Sequence, residues 1–182
     1  MMAFAWRVVL LTAGLTFASC DRPEPGSPLP SPPPAPPAPT ENPVLWKHAV
    51  KGDFADVLAR LKTGLQVAQF QLTAEENLAQ GLANNRHLFP EGQWNSIGFD
   101  NVTALHFCSV VFNQQVFNIK LDWSVLCPFK LVAYSMKAAP DEVTIVTVRP
   151  TYLLASDPHP RAMEIGKSIE DRIVAAIREG LT

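Results

Sequence analysis

Ser124–Leu154, SVLCPFKLVAYSMKAAPDEVTIVTVRPTYLL, decides how this chain is read. The apolar content and its alternation predict two strands, Leu126–Met136 and Val143–Arg149. A polar turn carrying Pro140 and Asp141 joins them into a β-hairpin. In the second strand Val143, Ile145 and Thr147 face one way, and Thr144, Val146 and Val148 the other. A run apolar on both faces suits a central strand covered on both sides. Pro128 falls near the start of its strand and Pro150 just beyond the end of the other, where a missing N–H costs least.

Working outward, Val44–Val50 reads as a first strand. Asp53 is a predicted N-cap for a helix in which Phe54, Val57, Leu58, Leu61 and Leu65 recur at helical spacing. Val67–Leu72 is predicted as a second short strand. Thr73 and Glu76 have the spacing of a capping box, which predicts a short helix through about Leu82. Residues 83–102 are rich in turn formers and read as one long loop. Thr103–Val110 is a third strand, and Val111–Lys120 a helix leading back to the hairpin. The last helix spans about Ala162 to Glu179. Ala162, Ile165, Ile169, Ile173, Ala176 and Ile177 form its apolar stripe, and Gly180 is its predicted stop. Helices interleave with strands, yet the hairpin is antiparallel. The predicted fold is therefore α+β: two layers, a mainly antiparallel sheet with helices on one face. A sheet with a bare face often buries it against a second copy, so a homodimer is expected.

Composition sets the outer limits. The chain has 182 residues, 47% hydrophobic and 18% charged, with a formal net charge of −2. That is globular, and no basic run points to nucleic acid as a partner. Residues 1–20, MMAFAWRVVLLTAGLTFASC, hold one cation at Arg7, an apolar run and small residues before Cys20, the build of an export signal. Its end, Phe17-Ala18-Ser19-Cys20, resembles the lipobox of bacterial lipoproteins, with Phe17 where Leu is usual. That resemblance implies that Cys20 becomes an acylated, palmitate-bearing mature N-terminus. Asp21 directly after it resembles an inner-membrane retention signal, implying the periplasmic face of that membrane. Residues 21–43 form a Pro-rich linker, with 11 of the chain's 17 prolines between 22 and 43. Proline excludes helix and sheet there, leaving an extended spacer of roughly 65 Å if fully stretched. The folded domain is then 44–182.

Within that domain, Phe107-Cys108, a helix-length segment, and Leu126-Cys127-Pro128-Phe129-Lys130-Leu131-Val132-Ala133-Tyr134 together resemble the bacterial and archaeal family called domain of unknown function 302 (DUF302). The strand Val143–Arg149 followed by Pro150 completes the similarity, which covers Asp53 to about Leu154. This chain has Ser109-Val110 where members have Asn-Pro. It has Phe129 where some carry a Cys, and places Cys127 before the proline instead. The resemblance implies a compact α+β fold, often dimeric, and transfers no catalytic residue.

Three states are open to Cys108 and Cys127: a structural disulfide, two buried free thiols, or a redox-active pair. No Cys-x-x-Cys supports the last. Cys127, beside Pro128 on an apolar strand, suits plain burial, and free thiols are the expectation taken forward. Among the four histidines only His106 shares a strand face with a cysteine, Cys108, as a weak metal-ligating pair. Met136, at the hairpin end, is a weak axial ligand for a non-covalently held haem. Covalent c-type attachment lacks its Cys-x-x-Cys-His, and no phosphate loop, nucleophile elbow or catalytic carboxylate pair occurs. The expected function is a membrane-anchored periplasmic binding or interaction domain rather than an enzyme, with an unknown small molecule or protein as partner. Arg86, Phe89, Trp94 and Phe99 in the long loop are its contact candidates. The alternative is a periplasmic thiol-redox or haem-binding protein.

Overall fold

A computed structural model describes residues 42–182. The signal 1–20, Cys20 and linker residues 21–41 lie outside the described residues. Five strands form one sheet in the order β1-β5-β4-β3-β2, every neighbouring pair antiparallel. They are β1 (Leu45–Lys51), β2 (Gln71–Asn77), β3 (Phe99–Cys108), β4 (Phe129–Met136) and β5 (Ala139–Val148). The helices are α1 (Phe54–Val67), α2 (Leu78–Asn84), α3 (Val110–Phe117), α4 (Pro150–Leu154) and α5 (Ala162–Leu181).

Both hairpin strands are interior, as their apolar content requires. Register puts Leu105 of β3 opposite Leu131, and Ala133 opposite Ile145. These side chains and Phe107 and Val143 are wholly buried on one face. α1 and α5 complete the core with Val57, Leu61 and Leu65 from the first and the predicted Ala162–Ile177 stripe from the second. Asp53 caps α1 as expected, its carboxylate accepting from the Ala55 and Asp56 amides at 2.9 and 3.2 Å. On the second sheet face Val102, Val132, Tyr134 and Val146 are cross-strand neighbours and only half-buried. The cover expected on both faces of β5 is thus complete on one.

The structure corrects the sequence at several places. The hairpin turn is Lys137–Ala138, and Pro140 and Asp141 belong to β5. The β4 ladder is interrupted between Met136↔Ala139 and Ser135↔Val143, so the proline's missing donor falls in a bulge. Asp141 is held there by Lys51 at 3.1 Å. Val67 ends α1 instead of opening β2, because Gln69 turns the chain at φ 64°. Thr73 and Glu76 lie in β2, not in a capping box. Ladder pairing with β3 overrides the local signal there, and Asn77 caps α2 instead, accepting from the Gln80 amide at 2.9 Å.

Gly180 does not stop α5; it lies inside it. A Cβ on Gly180 would stand 2.8 Å from the Arg60 carbonyl oxygen, and one on Gly64 2.4 Å from that of Ala176. The two glycines are what lets α1 and α5 cross at backbone contact. Arg60 then donates to the Gly180 carbonyl at 3.2 Å and to that of Leu181, partners for α5's orphan end groups. The short helix α4, missed in the sequence, begins at Pro150, whose fixed φ suits a first helical position. Arg149 before it pairs with Glu170 of α5 at 2.7 Å, and Thr151 Oγ1 donates to the same carboxylate.

Candidate functional site

The predicted long loop is built around its aromatic residues. After α2, Asn85 donates from its side chain to the Gly81 carbonyl at 2.9 Å, and Arg86–Leu88 make a single 3-10 turn. Gly92 and Gly98 take φ of 77° and 75°, and Asn95 takes 45°, a left-handed value that asparagine tolerates. The Asn95 side chain then clasps Phe99 at both backbone groups. Its Nδ2 donates to the Phe99 carbonyl at 2.7 Å, and its Oδ1 accepts from the Phe99 amide at 2.8 Å. Lys137 closes the turn by donating its amide to the Gly98 carbonyl at 2.9 Å.

This folding stacks three of the four contact candidates. Phe89 and Trp94 have ring centroids 5.6 Å apart, and Trp94 meets Phe99 edge-on at 6.0 Å. Leu82 and Ile97 join the three rings around an apolar cleft of about 250 Å³. A second, polar cleft of about 270 Å³ lies beyond Trp94 and Phe99, lined by Asn77, Gln80, Asp100, Asn101 and Lys137. Trp94, Asn95 and Phe99 are common to both, so an aromatic wall divides an apolar from a polar recess. Arg86 is exposed on the 3-10 turn and lines neither recess. Sequence reasoning missed Leu82, Ile97, Asn101 and Lys137. The first two stood in the loop and its flank as isolated apolar residues, and Lys137 comes from a hairpin end distant in the chain.

Cys108 and Cys127 are disulfide-bonded, with Cα atoms 5.6 Å apart, which corrects the expectation of free thiols. β3 and β4 are neighbours, and Phe107 pairs with Phe129, so the cysteine that ends one strand meets one just before the next. Cys108 therefore offers no thiolate beside His106, whose Nε2 instead lies 3.3 Å from a Glu76 carboxylate oxygen. His106 pairs with Lys130, and Met136 stands six residues further along β4, roughly 20 Å away at strand rise, so the two cannot share one iron. Among the described residues no group of three or more His, Cys, Asp or Glu side chains is placed to hold a metal ion. Nor is any described helix long and apolar enough to cross a membrane.

Fold and recesses together define a two-layer α+β domain that carries a divided aromatic cleft at one end of its sheet. The family model described as "Domain of unknown function DUF302" matches residues 46–180, and the chain belongs to that family. A solved structure of an uncharacterized conserved DUF302 protein from Bacillus stearothermophilus has the same fold. It shares 20% identity at a TM-score of 0.62, over 76% of this chain and 98% of that one. No curated protein matches this chain.

Proposed function

We propose that this protein is a binding module tethered to the periplasmic face of the inner membrane through acylated Cys20 and the Pro-rich linker 21–43. Its ligand is a small amphipathic molecule or an apolar side chain of a partner protein, held at Trp94. The observation that carries the binding reading is the Phe89–Trp94–Phe99 wall with an apolar recess on one side and a polar one on the other. Concave apolar sites with a few placed polar groups are the usual form of a ligand site. Each recess is small, which favours a ring or short chain over a large cofactor. The signal at 1–20, ending in Ala18-Ser19-Cys20, supports the anchor. Several acyl chains on one cysteine would give stable attachment where a single chain gives marginal binding. The half-buried second sheet face, centred on Val132, Tyr134 and Val146, supports a homodimer.

Two measurements test this. A panel of indole, phenol and medium-chain fatty-acid probes is titrated by calorimetry into the full chain and into Trp94→Ser. At least one class should bind the parent and lose at least about tenfold in affinity in the variant, since an aromatic anchor dominates such sites. Equal binding by both proteins, or none by either, removes the cleft from the reading. Separately, Cys20→Ser should accumulate as an uncleaved precursor without diacylglycerol. A mature chain that begins elsewhere, unmodified by mass spectrometry, removes the anchor.

A further inference from the structure

We propose that the Cys108–Cys127 disulfide is a thiol–disulfide exchange site that takes two electrons from a dithiol substrate. The proposal depends on neither the aromatic cleft nor the anchor. Both cysteines are partly exposed, and Cys108 lines a surface cleft of about 310 Å³ with Gln69, Gln71, Val110, Val111 and Arg172. Val110 and Val111 are 77% and 62% exposed, so the mouth of this cleft is an apolar surface beside a disulfide. A purely structural bond needs neither feature.

The surroundings treat the two sulfurs differently. Asn113 Nδ2 donates to the Cys127 sulfur at 3.2 Å. A hydrogen bond to sulfur favours a thiolate over a disulfide, so Cys127 is the better leaving group. Cys108 immediately precedes Ser109, the N-cap of α3, whose side chain makes no capping bond. The first-turn amides of α3 are therefore not capped by that side chain. Together with Arg172, which lines the same cleft and donates from Nε to the Ala68 carbonyl at 3.4 Å, they favour negative charge on Cys108 once it is released.

The chemistry balances as two exchanges. A substrate thiolate attacks Cys108 Sγ, the Cys108–Cys127 bond breaks, and Cys127 leaves as the thiolate bound by Asn113. The substrate's second thiolate then attacks its own sulfur in the mixed disulfide and expels Cys108. The substrate ends as a disulfide, and the protein ends as a dithiol after taking up two protons. A low-molecular-weight or protein disulfide reverses the sequence and reoxidises the pair.

The test uses the full chain, folded and without denaturant, treated with dithiothreitol and with glutathione redox buffers, the thiols being counted by alkylation and mass spectrometry. Reduction should follow bimolecular kinetics while the circular dichroism stays native. Asn113→Ala should slow it about threefold to tenfold, the effect of one lost hydrogen bond on the leaving sulfur. With glutathione disulfide, Cys127→Ser should form the mixed disulfide at Cys108 at least about tenfold faster than Cys108→Ser forms it at Cys127, since Cys108 lines the open cleft and exchange follows access. If reduction instead proceeds only at the global unfolding rate, or Asn113→Ala reduces as fast as the parent, the bond is a structural staple and the proposal fails. Those two results decide the matter even where a single-cysteine variant does not fold.

Discussion

Gly64→Ala puts helix propensity and tertiary packing in direct opposition. For an ordinary helix-interior position, glycine to alanine gains about 1 kcal/mol. Here the new methyl would stand 2.4 Å from the Ala176 carbonyl oxygen and 2.9 Å from the Gly180 Cα. Both are backbone atoms, so no rotamer change relieves the contact. Restoring ordinary spacing separates α1 from α5 by about 1 Å, and such a gap forfeits a quarter to a half of each contact it opens. Leu61, Leu65, Ile173 and Ile177, from these same two helices, are at most 1% exposed and share one core, so the separation is felt there. Overpacking of this kind costs about 3 kcal/mol, which exceeds the propensity gain and leaves a net loss of about 2 kcal/mol. Gly81→Ala in α2 is the control: nothing lies within 4 Å of its added Cβ, and propensity acts alone. It should raise stability by up to about 1 kcal/mol. Urea unfolding of the full chain, followed by far-ultraviolet circular dichroism, reads both midpoints. A Gly64→Ala midpoint at or above the parent's would refute the close crossing of α1 and α5.

Ile145→Ala should cost about 2–5 kcal/mol in the same assay, since it empties a fully buried site opposite Ala133 at the centre of the sheet. A loss under about 1 kcal/mol, the size of a surface change, would remove β5 from the centre of the core. Asp157 accepts from Trp123 Nε1 at 2.6 Å and from the His159 amide at 2.8 Å, and these bonds, Trp123's first, hold its carboxyl below the ordinary value of 3.8. A depressed carboxyl contributes its stability above the unfolded value and loses it as pH falls through the folded one. The melting-temperature gap between the parent and Asp157→Ala should therefore be constant above that value and close below it. A gap that does not change with pH would dismiss the carboxylate's role.

Much of the fold was legible because its signals are local. The stripe Ala162–Ile177 repeats at helical spacing, Asp53 sits where a cap belongs, and the hairpin strands carry enough apolar residues to claim the middle of a sheet. The three rings of the candidate cleft were also visible, as aromatic residues in a stretch otherwise made of turn formers. Where the reading failed, a partner distant in the chain had overruled the local preference. Thr73 and Glu76 look like a capping box until β3 offers a ladder. Pro140 looks like a turn until a bulge accepts it.

What the sequence by itself determined is the class of element at most positions of the folded domain and its α+β layering. Both follow from periodicity, which needs no neighbour in space. Only the tertiary structure decided that Cys108 meets Cys127, that Gly64 and Gly180 are contact points and not punctuation, and that Lys137 and Trp94 line one polar recess. Those are distances between residues far apart in the chain, set by strand order and helix crossing, and side-chain spacing along a sequence carries no record of them.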